Sequence, residues 1–132
     1  MKITLGTFVL AGRVPEEAPR DLRIEPDGQV QTAGFVRAAA GRAWNRGNVV
    51  TRISFTVARQ HTDVRAAQNF LLDHELDCPG DGLLTCTSSA EGAESVRYLP
   101  DAVLQRPKGH HTGATTFHDY VVLGGRLTRQ KP

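Results

Sequence analysis

The stretch VVTRISFTVAR, residues 49–59, decides the fold class of this chain, because apolar and polar residues alternate along it. Its odd positions carry Val49, Thr51, Ile53, Phe55 and Val57, and its even positions are more polar. A period of two in β-branched and aromatic residues is typical of a strand with one face in a core. We therefore expect a long strand here, with its odd-numbered side chains buried.

A helix is predicted directly after this strand, at about residues 63–77. Thr62 and Asp63 stand where an N-cap belongs, and the segment from Val64 to His74 has apolar residues at helical spacing. Pro79, with the glycine after it, would end the helix. His74 falls on the periodic face, so we expect a histidine at the edge of the core and not a general base.

Seven further segments are predicted to be extended, two of them separated by a turn at EPDG (25–28). They are KITLGTFVL (2–10), DLRI (21–24), GQVQTAGFVRA (28–38), GLLTCTS (82–88), ESVRYL (94–99), the short piece DAVLQ (101–105) opened by Pro100, and TTFHDYVVLGGRLT (115–128). The prediction is an α+β fold that is mainly β, an antiparallel β-sandwich or open barrel of about seven strands with one flanking helix. A single domain would span residues 1–132.

The apolar positions of these elements predict one core, with the helix lying on the apolar face of the strand at 49–59. The residues expected to be buried together are Ile53, Phe55, Val57, Phe70, Leu71, Phe117 and Val121.

Composition places the chain among ordinary soluble proteins. Hydrophobic residues make up 39% and charged residues 23% of 132 residues, and no apolar run reaches the roughly 20 residues of a membrane span. The apolar stretch near the N-terminus is broken by Gly6 and Thr7, so we do not expect a signal peptide. Without one, Cys78 and Cys86 are expected to be reduced thiols of a cytoplasmic protein.

Charge is distributed unevenly along the chain. Between Asp27 and Asp63 there is no acidic residue, and the basic residues there are Arg37, Arg42, Arg46, Arg52 and Arg59. From Asp63 to Asp81 the balance reverses, with five acids against one arginine. Asp73, Glu75 and Asp77 crowd the end of the predicted helix, where the macrodipole disfavours negative charge. A positive partner for this helix end is therefore expected.

Three histidines in KGHHTGATTFH (108–118) raise the alternative of a small metal-dependent enzyme. A zinc site needs three or four ligands that converge at about 2 Å. His110 and His111 are adjacent in a predicted loop and His118 lies on a strand, so this spacing does not bring them together. We expect a polar loop at the rim of a sheet and no metal ligands. The chain also lacks the nucleophile-elbow and phosphate-loop motifs, and no catalytic or cofactor-binding residues are predicted.

A second alternative is a nucleic-acid-binding module. The segment VRAAAGRAWNRGN (36–48) combines Arg42 and Arg46 with Trp44, and stacking with cationic contacts is how single strands are held. The same segment is also compatible with a solvated hairpin tip or with docking on a partner protein.

The order of elements from residue 48 to 128 resembles that of small tail proteins of tailed bacteriophages and prophage-like elements, in the group that shares the tail-tube and distal-tail fold. The segments that carry the resemblance are RISFTVAR, AAQNFLLDH, the turn PGDG into LLTC, VRYLPDAVL and FHDYVVLGG. The resemblance implies a β-sandwich with one flanking helix, a ring of copies stacked on the tail axis, and no catalytic activity, cofactor or small-molecule substrate. Tail tube, distal tail or baseplate, and tail completion stay open as roles.

The resemblance also implies a long hairpin that reaches the neighbouring subunit. AGFVRAAAGRAWNRGNVV (33–50) is the candidate, although its alanines and glycines form strands weakly. The implied partners are other copies and other tail proteins, with DNA as a candidate in the lumen and no membrane. The implied location is the virion tail, assembled in the bacterial cytoplasm.

Head-to-tail rings pair two different patches of one molecule. The basic segment and the acidic helix end form such a pair, although the same charges are also free to pair within one subunit. The predicted subunit interface comprises Arg37, Arg42, Trp44, Arg46, Asp73, Glu75 and Asp77.

Overall fold

The computed structural model describes residues 1–33, 42–90 and 93–132, without the side chains of 26–33, 42–49, 89, 90 and 93. The elements in chain order are β1 (Lys2–Leu5), β2 (Phe8–Ala11), a 3-10 turn (Pro15–Glu17), β3 (Arg20–Ala33), β4 (Arg42–Gln60), α1 (Val64–Asp77), β5 (Asp81–Ala90), β6 (Ala93–Leu104), β7 (Lys108–Thr112) and β8 (Thr115–Gly124).

The described strands form one antiparallel sheet of eight strands in the order β2-β1-β5-β6-β8-β4-β3, with β7 pairing β8 off this path. The sheet is not closed, because β2 and β3 at its two ends do not pair. Its apolar face nevertheless forms one core, in which Ile3 and Leu10 from one end meet Ile53 from the other. The predicted class, mainly β with one helix, is confirmed, and the architecture is an open sheet curled around its core.

Strand β4 has the predicted faces. Thr51, Ile53, Phe55 and Val57 are all buried, whereas Arg52 is exposed. The phenyl ring of Phe55 stacks on a tyrosine ring of β8, with their centroids 5.1 Å apart. Alternation in the sequence was sufficient to predict which face of β4 is buried, because the odd-numbered positions are more consistently apolar than the even-numbered ones.

The faces of β8 were predicted wrongly. Phe117 and Val121 are only half-buried, and the buried face of β8 carries Thr116, His118, Tyr120 and Val122. Both faces of this strand offer large side chains, so periodicity alone did not choose between them. Phe70 and Leu71 of α1 are also half-buried, because they lie at the border between helix and sheet.

Helix α1 begins and ends where it was predicted. The Asp63 carboxylate accepts a hydrogen bond from the Ala66 amide at 2.7 Å, which satisfies one of the free donors of the first turn. Ala67 and His74 are buried, and the helix packs mainly against β7 and β8. His74 is thus a buried core-edge residue, as its position in the helical period predicted.

Four segment predictions need correction. The first predicted strand is a hairpin of β1 and β2, and β3 runs without a break through EPDG. Strand β6 continues through Pro100, and the loop expected at 106–114 contains β7. Pro26 is tolerated inside β3 because β3 is an edge strand, where a missing backbone donor faces no partner.

Candidate subunit interface

The β3–β4 hairpin extends well beyond the rest of the sheet. Strand β8 pairs with β4 only from Thr51 onward, whereas β3 pairs with β4 as far as Arg42 opposite Ala33. Residues 27–33 and 42–50 therefore form an arm, and nine residues of strand correspond to a reach of roughly 30 Å. Residues 34–41 of the hairpin expected at 33–50 lie outside the described residues, and the two paired strands that flank them are longer than the weak strand formers of this segment suggested.

Both edges of the arm are free among the residues that the structure describes. Strand β3 is the last strand of the sheet, and residues 42–50 of β4 pair only with β3. A strand edge that carries unpaired backbone donors and acceptors is a template for pairing with another chain. The arm is consequently the part of this fold best suited to contact a second protein.

Some of the predicted basic residues lie in the arm, and at least one lies in the interior. Arg42, Trp44 and Arg46 lie on β4 within the arm, where Trp44 pairs with Gln31 across the hairpin. Their side chains, and Arg37 as a whole, lie outside the described residues. Arg59, from the same acid-free stretch, is buried and belongs to the interior.

The outer surface of α1 carries large apolar side chains in contact with solvent. Leu72 is 71% exposed and Leu76 is 81% exposed, and we call these two residues the outer ridge. At about 100° per residue both lie roughly 200° around the helix from the buried His74. The sheet covers the other face of the helix, so the outer ridge forms an exposed apolar surface that a further partner could cover. Full burial of each leucine would contribute about 1.5–3 kcal/mol.

The three predicted acids of α1 have different surroundings. Asp73 and Asp77 are exposed beside the outer ridge. Glu75 instead accepts a hydrogen bond from the guanidinium of Arg106, on the segment before β7. Pairing within the subunit, which the sequence left open, therefore holds for Glu75, whereas Asp73 and Asp77 form no ion pair with any side chain that the structure describes.

A buried arginine fixes α1 to the sheet. Arg59, at the end of β4, donates hydrogen bonds to the Tyr120 hydroxyl at 3.0 Å and to the Leu10 carbonyl at 2.5 Å. Its guanidinium also lies 5.3 Å from the centre of the Phe70 ring on α1 and 3.9 Å from a carboxylate oxygen of Glu17. One side chain thus joins β2, β4, β8 and the helix, which holds the outer ridge in a fixed orientation.

The electrostatics of this cluster fix the protonation state of His74. Burial first, and then the charges of Arg59 and His118, lower the pKa of His74 to about 3. Burial raises the pKa of Tyr120 to about 12, so its hydroxyl keeps its proton. Because Arg59 donates to the hydroxyl oxygen, the hydroxyl proton is free to be donated to Nε2 of His74. The neutral imidazole accepts this bond and links helix to sheet.

An open cleft of about 510 Å³ lies above this cluster, between β2 and α1. Its walls include Phe8, Arg13, His61 and Phe70, with Arg59 at its base. His61 bonds to the Thr116 hydroxyl at 2.9 Å. Since Arg59 is already engaged by protein groups, its main contribution is structural.

The three histidines of 108–118 do not converge on one point. His110 is exposed on β7 and stacks on Phe117 at 5.2 Å, on one face of the β7–β8 pair. His118 is 1% exposed on the opposite face, against Phe70 and His74. Within the described residues, no group of three or more His, Cys, Asp or Glu side chains is arranged to hold a metal ion. This geometry gives no support to the metal-dependent enzyme.

Both cysteines are free thiols inside the fold. Cys78 is half-buried beside His74, and Cys86 is buried in the core. Burial raises the pKa of each thiol to about 11. Protonated, enclosed thiols are poor nucleophiles, so the contribution of these residues is packing.

Comparison with known proteins assigns the chain to no family. No protein-family model matches the sequence, and no curated protein is significantly similar to it. The helix of the described ranges lacks the length and hydropathy needed to cross a bilayer.

Proposed function

We propose that this protein is a structural subunit of a phage or phage-like tail, which assembles into a ring of copies. The role would be that of a tail-tube, distal-tail or baseplate, or tail-completion component, in a virion tail assembled in the host cytoplasm. The observation that carries the proposal is the arm, a hairpin of two long strands with free edges that projects beyond the sheet.

The distribution of charge supports a head-to-tail contact between copies. Apart from Asp27 at its base, the arm belongs to a segment without acidic residues, from 28 to 62, that carries Arg42 and Arg46. Asp73 and Asp77 are exposed on α1 of the same molecule. Two different and complementary patches on one chain generate a ring when the rotation between copies closes. Individual exposed ion pairs contribute only about 0–1 kcal/mol, so several contacts must act together.

The resemblance to small tail proteins supports the same reading. The resemblance implied a β-sandwich with one flanking helix, and a mainly β fold with α1 packed on its sheet is compatible with it. A protein of this kind needs no catalytic residues, and its partners would be copies of itself, other tail proteins and DNA in the lumen.

The experiment is to measure mass against concentration by analytical ultracentrifugation, with negative-stain images of the heaviest species. We expect rings of discrete size that dissociate partially as the salt concentration rises. Reversal of Arg42 and Arg46 to Glu should weaken the ring while the subunit stays folded. Further reversal of Asp73 and Asp77 to Lys should restore part of the association.

The matched control is reversal of the exposed Arg126 and Arg129 to Glu, which changes net charge equally but far along the chain from the arm. Rings should persist in this variant. A wild-type protein that is monomeric at high concentration, that no tail protein recruits, and that binds single-stranded DNA through Trp44 would refute the proposal. It would favour the nucleic-acid-binding module instead.

A further inference from the structure

Among the residues that the structure describes, none covers the outer ridge of α1, Leu72 with Leu76, which lies opposite the face that packs on the sheet. These leucines are 71% and 81% exposed, whereas Ala67 and His74 on the opposite side of the helix are almost fully buried. A contiguous exposed apolar surface on a rigid element, bordered by charge, is characteristic of a protein contact site.

We infer that the outer ridge is the docking site for the arm of a second copy, with Trp44 packed against Leu72 and Leu76. This inference rests on the proposed function and specifies the contact that closes the ring. Asp73 and Asp77 beside the ridge would then receive Arg42 and Arg46, which occur two residues before and two residues after Trp44.

Charge complementarity selects this occupant over a second helix. Pairing the ridge of one copy with the ridge of another would bring Asp73 and Asp77 together with their own copies, and like charges repel. Apart from Asp27 at its base, the arm instead comes from a stretch of 28–62 that carries arginines and no acid. An aromatic residue between two arginines is also the composition that dominates binding energy in protein interfaces.

The internal bond of Glu75 defines the boundary of the site. Since Arg106 of the same chain engages Glu75, this acid is not available to the arm. The docking surface therefore lies on the side of α1 that carries Leu72, Asp73, Leu76 and Asp77, and it excludes the side that faces β7.

The first test replaces Leu72 and Leu76 together with Ser and measures the concentration at which half of the protein is assembled. We expect this concentration to rise at least tenfold, with the melting temperature close to that of the wild type because both side chains are exposed. The matched control is Val103→Thr, at an apolar side chain on β6 that is 52% exposed. It should leave assembly unchanged.

The second test identifies the occupant without relying on altered stability. A Trp44→Cys chain is mixed with a Leu76→Cys chain under mild oxidation, and we expect a disulfide between the two different variants. A Leu76→Cys dimer formed with itself would mean that helix packs on helix, and would overturn the inference.

Two other results would overturn the docking site and leave the proposed ring standing. One is rings that persist in the variant with both leucines replaced by Ser, and the other is assembly without any cross-link between positions 44 and 76. A wild-type chain that never assembles would refute the proposed function, and the docking site with it. The two failures are therefore distinguishable.

Discussion

The hydroxyl of Tyr120 and the imidazole of His74 are hydrogen-bonded across the boundary between sheet and helix, although 46 residues separate them in the chain. This bond lies beneath the helix whose opposite face carries the outer ridge. The bond joins a neutral histidine and a protonated tyrosine, and Arg59 of β4 donates a further hydrogen bond to the same hydroxyl. Buried polar groups thus fix the position of α1 and of the outer ridge, on which assembly is proposed to depend.

The two buried histidines predict a stability that falls as the pH is lowered. Burial is the main cause that lowers the pKa of His118 to about 4 and that of His74 to about 3, from 6.5 in the unfolded chain. The unfolded state therefore binds two protons near pH 5 that the folded state does not bind. Each should remove about 1.5 kcal/mol from the free energy of unfolding between pH 6.5 and pH 5.

Urea titrations at pH 7.5, 6.5 and 5 measure this loss. His118→Leu should reduce the pH dependence to about half, because one of the two protons is removed. A wild-type stability that is constant down to pH 5 would show that these imidazoles are accessible to water.

Phe55→Ala tests the assigned faces of β4. The phenyl ring is 3% exposed and stacks on Tyr120, so its truncation leaves a cavity and should cost about 3–5 kcal/mol. The check is chemical denaturation against Ser54→Ala, on the opposite face, which should change stability by at most about 0.5 kcal/mol. A loss of less than about 1 kcal/mol in the free energy of unfolding for Phe55→Ala would mean that the buried and exposed faces of β4 were assigned the wrong way round.

At Gly109 the backbone of β7 lies close to the side chains of His118 and Leu71. A Cβ atom there would lie 2.6 Å from Nε2 of His118 and 2.8 Å from a methyl group of Leu71. Gly109→Ala should therefore destabilise the fold by about 1–3 kcal/mol through overpacking. Gly125→Ala is the control, since its Cβ would meet no atom within 4 Å. Equal melting temperatures of the two variants would contradict this packing.

The positions of His110 and His118 on opposite faces predict no effect of metal removal. Incubation with a strong chelator should leave the melting temperature unchanged, and elemental analysis should find no stoichiometric zinc. One metal ion per chain that is lost in His111→Ala would restore the metal-dependent enzyme as a function.

Some parts of the candidate interface could be predicted from the sequence and others could not. The unequal distribution of arginines and acids is visible without a structure, and so is a candidate hairpin. The outer ridge was missed, although Leu72 and Leu76 are four residues apart, which is one turn of a helix. Apolar residues on a helix are ordinarily assigned to the core, and only their exposure distinguishes a second apolar face from the first.

By itself, the sequence determined the long strand with Phe55 inside, the helix from Val64 to Asp77 and the mainly β class. These features depend on local periodicity and on a local cap, which a few neighbouring residues specify. Only the tertiary structure decided that β8 turns His118 and Tyr120 inward, that Arg59 is buried, and that β3 continues through Pro26. Each depends on residues far along the chain. Arg59 is buried because the Tyr120 hydroxyl and the Leu10 carbonyl accept its hydrogen bonds. His118 packs against the rings of Phe70 and His74 on α1, and β3 is fixed by its pairing with β4.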